Sequence, residues 1–286
     1  MIRPIRILIT LVLVSCILSC NKHKDSNANS SANQFRLSKL VQWSSASPSK
    51  NILINEFLYD DQKRLVEIAT SNGDSVNGEI KSAKFRSVKF FYNGTDKNPF
   101  KTIGPLSNIS SSSTETFYSY NANGALIRDS TAASQSYSGI VRNYVYTSDK
   151  IVVQSKNPIY VYDISKDSFT VADHNLVTGF LYITPYSTQA NGYKLIYDNK
   201  LNPISKLNIA ALATVTSING FPSFLAPGYC KNNITEYTYG TSTSPGNFTG
   251  LNTYYYTYSY NENNLPVECR MYNNNGNTIV KYYYID

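Results

Sequence analysis

Four segments of the chain repeat one short unit, and that unit dictates hairpins. In each, a tyrosine closes an alternating run, Asp or Asn follows it, and a Leu or Pro with a β-branched residue opens the next run. The first two copies are Phe57-Leu58-Tyr59-Asp60-Asp61-Gln62-Lys63-Arg64-Leu65-Val66 and Tyr118-Ser119-Tyr120-Asn121-Ala122-Asn123-Gly124-Ala125-Leu126-Ile127. The other two are Leu195-Ile196-Tyr197-Asp198-Asn199-Lys200-Leu201-Asn202-Pro203-Ile204 and Tyr258-Ser259-Tyr260-Asn261-Glu262-Asn263-Asn264-Leu265-Pro266-Val267. Looser relatives begin at Tyr92, Tyr146 and Tyr162. Asp or Asn at the head of a turn accepts hydrogen bonds from backbone NH groups two residues on, and Gly124 and Asn264 stand where a positive φ is needed. Pro203 and Pro266 fit the first position of a return strand, where a ladder NH is dispensable. Nothing after residue 34 sustains a 3.6-residue period. The chain therefore reads as all-β, a single elongated or curved antiparallel sheet of successive hairpins, with a partly closed barrel as its variant form.

The residue choice agrees with this reading. The 286 residues include 25 Tyr and 12 Phe against a single Trp, and Tyr suits half-buried pleated surface. Charged residues make up only 16 % of the chain, where about 25 % is usual. The 26 Lys and Arg exceed the 19 Asp and Glu by a small, scattered margin, so nothing points to a nucleic-acid partner.

The first segment has the three parts of an export signal. Arg3 and Arg6 precede Ile7 to Leu18, an almost wholly apolar run, too short to span about 30 Å of hydrocarbon as a helix. A signal peptide over residues 1–19 is expected. Ile17-Leu18-Ser19-Cys20 resembles the lipobox of bacterial lipoproteins, which implies that Cys20 is diacylated, becomes the first mature residue and is N-acylated; Cys16 is a second candidate. Two or more acyl chains anchor a protein stably without a spanning helix. Residues 20–36, rich in Asn, Ser, Ala and Lys, read as a flexible tether, and the hairpin domain as 37–286. The expected location is the outer membrane, lipid-anchored, with the periplasmic and the cell-surface side both open.

Tyr59-Asp60-Asp61-Gln62-Lys63-Arg64-Leu65 resembles the YD repeat of the RHS proteins, whose pattern is Tyr-Asp, two variable residues, Gly, Arg and Leu. Here Lys63 replaces the Gly, and Gly124 alone among the other copies retains it. Taken with the lipobox, Asn98-Pro99-Phe100, Asn202-Pro203-Ile204 and Lys231-Asn232-Asn233-Ile234-Thr235, residues 37–286 are similar to a group of Bacteroidota lipoproteins of unknown function. That resemblance implies a porin-like, curved antiparallel β fold and carries no catalytic residue.

Few residues bear reactive chemistry. With Cys20 lipidated, Cys230 and Cys269 are an even pair in an oxidising compartment, which reads as a disulfide, with two free thiols as the alternative. His174, in Ala172-Asp173-His174-Asn175-Leu176, reads as a turn residue; no metal site, cofactor motif or nucleophile motif occurs. Asp60, Asp61, Asp163, Asp167 and Glu262 fall in the turns of the repeat, while Glu56, Glu67, Glu236 and Glu268 fall in strands, and no pair is selected for glycosidase chemistry. Tyr254, Tyr256, Tyr258 and Tyr260 share one strand face, extended by Tyr282 and Tyr284. Its functional reading is a stacking platform for glycan or peptide, its structural one the tiling of a sheet. The stretch Ile204 to Leu225 is the least strand-like and reads as a short helix or a long loop packed over one end of the sheet, a structural cap with a ligand gate as the alternative. The leading expectation is a lipid-anchored, non-catalytic envelope module that binds a glycan, a peptide or an envelope protein. A two-carboxylate polysaccharide hydrolase and a purely structural assembly lipoprotein are the alternatives.

Overall fold

The computed structural model of the protein describes residues 35–105, 113–132, 139–157, 163–181, 190–207, 230–244, 247–273 and 276–286. The expected signal peptide, Cys20, Tyr162 and most of the stretch Ile204 to Leu225 lie outside the described residues. The strands are β1 (Arg36–Ser44), β2 (Ile52–Tyr59), β3 (Leu65–Val76), β4 (Glu79–Phe91), β5 (Lys101–Pro105), β6 (Ser113–Tyr120), β7 (Leu126–Thr131) and β8 (Ile140–Tyr146). They continue as β9 (Lys150–Lys156), β10 (Asp163–Ala172), β11 (Asn175–Leu181), β12 (Ala190–Leu201), β13 (Asn232–Ser244), β14 (Asn247–Tyr260), β15 (Pro266–Asn273) and β16 (Gly276–Ile285). A 3-10 turn, η1 (Ser205–Leu207), follows β12.

Each strand pairs antiparallel with the next, and β1 pairs with β16 from Arg36↔Ile285 to Ser44↔Thr278, so the sheet is a closed barrel. This replaces the expected elongated or partly closed sheet. The physical reason is the edge: two long terminal strands left open would each expose a row of unpaired NH and C=O groups, and pairing them removes both rows at once.

Three of the repeated turns share one geometry. The backbone NH of Asp60, Asn121 and Asn261 donates to the carbonyl four residues on (Arg64, Ala125, Leu265), at 2.9, 2.9 and 3.0 Å. Their side-chain oxygens accept the NH of those same residues at 2.8, 2.9 and 3.0 Å. The penultimate residue of each turn has a positive φ: Lys63 at 64°, Gly124 at 78° and Asn264 at 58°. The fourth copy departs from this pattern, because β12 runs on through Asp198 to Leu201 and the chain turns only at Asn202-Pro203.

A tyrosine of the unit ties neighbouring strands together at this end of the barrel; in the last copy it is Tyr258, two residues before the Tyr260 that precedes the turn. The phenols of Tyr59, Tyr92, Tyr146 and Tyr284 donate to the carbonyls of Leu37, Leu65, Leu126 and Pro266 at 2.7, 2.7, 2.8 and 2.7 Å. Tyr120 reaches Pro99 at 2.8 Å, Tyr258 reaches Ile234 at 2.9 Å, and Tyr197 reaches Leu176. In every case a tyrosine near the end of an even-numbered strand holds the start of the strand before it. Among the even strands β10 alone lacks the bond, ending in Val171-Ala172. The recurrence of Tyr before the turn thus has a mechanical cause, each bond contributing about 1 kcal/mol net.

The core sits at the same end. Side chains from every strand but β5 meet in one buried cluster, among them Leu40, Phe57, Phe90, Tyr144, Phe169, Tyr193, Tyr237, Tyr256 and Val280. A round barrel of about 16 strands ordinarily keeps an aqueous channel, whereas here the lumen is filled at this level. Ile204 is buried, and η1 touches β1, five strands away round the wall, so Asn202–Leu207 crosses the end of the barrel as a floor. That part of the expected cap is in place.

Candidate functional site

The tyrosines expected to form a platform do share one face, and that face is the interior. Tyr256 is only 4 % exposed. The hydroxyl of Tyr258 is committed to Ile234, and that of Tyr260 donates to Asp198. Tyr282 is buried as well, and burial raises the phenols of Tyr256, Tyr258 and Tyr282 far above their ordinary value. The platform reading is therefore corrected for Tyr256, Tyr258 and Tyr260: a half-buried alternating strand always has two faces, and closure turned this one inward. Tyr254 alone reaches higher, stacking with Tyr237 and Tyr239 at centroid distances of 6.0 Å each.

The remaining candidates are separated by the barrel. Cys230 and Cys269 are buried free thiols rather than a disulfide. Cys230 lies 3.0 Å from the Tyr197 hydroxyl at the floor, whereas Cys269 sits in mid-strand opposite Tyr258 and Val280. Burial pushes the two thiols up to about 11 and about 12. His174 occupies a tight turn with φ 62°, next to Asp173 at 49°. Asp163 and Asp167, expected in turns, lie in β10. Glu56, Glu67, Glu236 and Glu268 face outward across from Lys39, Lys89, Tyr255 and Lys281. Asp129 is the one fully buried carboxylate among the described residues. It accepts hydrogen bonds from Arg142 at 3.0 Å and Tyr144 at 2.6 Å, and burial pushes its carboxyl upward. No group of three or more His, Cys, Asp or Glu able to hold a metal occurs among the described residues.

A cleft of about 330 Å³ opens at the floor end, between the loop joining β4 to β5 and the turn joining β6 to β7. Asn93, Asp96, Lys97 and Asn98 line one side, Tyr120 and Asn121 the other. Its walls are fixed from behind. Arg64, the arginine of the first repeat, pairs with Asp60 at 2.8 Å and lies over the Tyr92 ring at 4.5 Å. The same guanidinium donates to the carbonyls of Gly94 at 2.6 Å and Asp96 at 3.1 Å. Across the cleft the Asn98 amide donates to the Gly124 carbonyl at 3.3 Å. Sequence reasoning passed over this loop apart from Asn98-Pro99-Phe100; its signal was the run of Asn, Gly, Asp and Lys between two aromatic strand ends.

The outer wall is charged well away from the strand ends. Register puts Lys39 beside Glu56 and Tyr283, Lys281 beside Val41 and Glu268, Arg270 beside Thr257 and Ile279, and Lys194 beside Thr178 and Thr238. Ion pairs lie on this surface, Lys101–Glu115 at 3.0 Å and Arg270–Glu268 at 2.8 Å among them. Among the described residues, exposed apolar side chains such as Leu58, Phe117, Val145 and Tyr272 share this surface with the charges. No helix among the described residues is long and apolar enough to cross a membrane.

No protein-family profile matches the chain, and no curated protein sequence does. Solved structures do share its fold. A porin-like protein from Bacteroides uniformis is similar with a TM-score of 0.58 at 12 % identity, over 87 % of this chain and 98 % of that one. A porin-like protein from Bacteroides vulgatus is similar with a TM-score of 0.52, also at 12 % identity and the same coverage. The neighbours agree with the porin-like part of the family resemblance; nothing in them bears on the YD repeat or on lipidation. At this identity what is shared is the fold, a closed antiparallel barrel.

Proposed function

We propose that the chain is a cell-envelope protein, held to the outer membrane by acyl chains on Cys20, whose barrel stays in the aqueous phase as a non-catalytic binding module. The carrying observation is the polarity of the wall. A membrane-spanning barrel shows lipid an apolar band about 25 Å tall and encloses a polar lumen, and Lys or Arg at mid-membrane costs roughly 2–4 kcal/mol each. Here Lys39, Lys194, Arg270 and Lys281 face outward while Tyr, Phe and Leu fill the interior. The aromatic and aliphatic side chains that meet in the lumen also favour a binding module over a conduit. Binding is favoured over hydrolysis because the strand glutamates face outward and Asp129 is bound to Arg142 and Tyr144. The test is fractionation of the native host expressing the full chain or Cys20→Ala. The wild type should remain with membranes through high-salt and urea washes, and the variant should appear in the detergent-free soluble fraction. A Cys20→Ala protein that stays membrane-bound overturns the reading.

A further inference from the structure

The cleft beside Asn98 combines polar groups that the fold already holds in place, Asn98, Tyr120 and Asn121, with others that it leaves unused. The side chains of Asn93, Asp96 and Lys97 are exposed and make no hydrogen bond or ion pair with described residues, while the backbone that carries them is held by Arg64. A ligand there meets donors and acceptors already in place, which lowers the ordering cost of binding. Its volume, about 330 Å³, is at the small end of the roughly 300–1,000 Å³ typical of small-ligand sites.

Resting on the binding-module reading, we infer that this cleft binds a neutral saccharide, one or two sugar rings of a glycan. Three features select that chemistry. One acid, Asp96, is matched by one base, Lys97, so the site favours neither a strongly anionic nor a strongly cationic ligand. The Asn93 amide offers both donors and an acceptor, and Asn98, whose NH2 also holds the Gly124 carbonyl, adds its acceptor oxygen, the combination that neighbouring hydroxyl groups, themselves donors and acceptors, satisfy. Phe100 and Tyr120 contribute aromatic surface to the same cleft for the C–H face of a sugar ring. A peptide could not bind by adding as a strand, which needs an open sheet edge, because β1 is paired with β16.

The experiment uses the full-length lipoprotein in a detergent without a sugar headgroup. Saturation-transfer NMR and calorimetry are run with cellobiose, maltose, mannobiose and N,N′-diacetylchitobiose as probes. Asn93→Ala and Asp96→Ala are the variants, because neither side chain supports the fold. The expected result is binding of at least one disaccharide, weakened about tenfold or more by either substitution, with melting curves that superimpose on the wild type. Absence of any saccharide signal overturns the assignment. Saccharide binding that survives both substitutions also overturns it, yet leaves the binding-module reading standing, so the two failures are told apart.

Discussion

Gly179 on β11 lies beneath the ring of Tyr193 on β12, so close that a Cβ on Gly179 would come within 2.3 Å of the phenol carbon. The two are cross-strand partners, and the Tyr193 ring is in turn tilted against Phe169 at 6.0 Å and Tyr237 at 6.2 Å. The glycine is thus the seat of the aromatic row that fills this side of the barrel. Gly179→Val should destabilise by about 1–3 kcal/mol through overpacking. Chemical denaturation of the full chain measures it, and a midpoint equal to wild type would mean that the ring has a second seat.

The bonds from strand-end tyrosines predict a graded loss. Tyr59→Phe and Tyr284→Phe keep the ring and remove only the donor to Leu37 and to Pro266. Each should cost about 1 kcal/mol. Leu37, which carries one of the two acceptors, is the direct cross-strand partner of Tyr284, so the sites are neighbours and the double variant should depart from the sum by about 0.5 kcal/mol or more. A silent pair of substitutions would reduce these tyrosines to ring packing alone.

Lys63 and Gly124 occupy equivalent turn positions with φ of 64° and 78°. A residue with a Cβ pays roughly 1 kcal/mol there, and glycine does not. Lys63→Gly should raise the melting temperature slightly. Gly124→Ala should lower it, since its Cβ would also meet the Asn98 amide at 3.1 Å. Thermal melts of the two variants should therefore shift in opposite directions.

How much of this was legible in the sequence depends on the range of the contact involved. The turns were, because Asp60, Asn121 and Asn261 make their bonds within four residues. Closure was not: Leu40 finds Tyr282 across the whole length of the chain, and no local pattern marks β1 and β16 as partners. The alternation in Tyr254 to Tyr260 revealed two faces but not which would be inside, since a strand with tyrosines on one side and Thr257 and Ser259 on the other suits either direction. The spacing that set Tyr before Asp was visible as a recurrence; the carbonyl it serves lies 18 to 27 residues earlier. The cleft was missed for a related reason, because Arg64 joins it to a turn about thirty residues away.

Asp129 and Arg142 test the polar part of the interior. The carboxylate is wholly buried, while the arginine side chain keeps 25 % of its surface exposed. Removing the acid leaves the guanidinium unpaired beside the Tyr144 hydroxyl. Asp129→Ala should cost about 3 kcal/mol, the lower end of the range for breaking a buried pair, because Arg142 regains some water. Asp129→Asn, which preserves shape and an acceptor, should cost visibly less. Equal losses in the two variants would assign the effect to the lost charge rather than to packing.

The buried thiols and phenols together fix the response to alkali. Cys230 and Cys269 are raised by burial from 9.0 to about 11 and about 12. The phenols of Tyr197, Tyr256, Tyr258 and Tyr282 are raised further above their ordinary value. In the unfolded chain these groups release their protons once the pH passes about 9 for thiols and about 10 for phenols, while the folded chain keeps them, so the unfolded state binds fewer protons and stability falls as pH rises. The contribution is fully present below about pH 9 and is lost upward, through about 11 for Cys230 and beyond for the tyrosines. Denaturation midpoints should therefore be flat from neutral pH to about 9 and fall steeply above about 10, where many tyrosines act together. Tyrosinate absorbance should grow in step with loss of the β-sheet circular dichroism. Buried tyrosines that ionise while the sheet signal persists would show that the interior admits water, and with it that the lumen is open rather than filled.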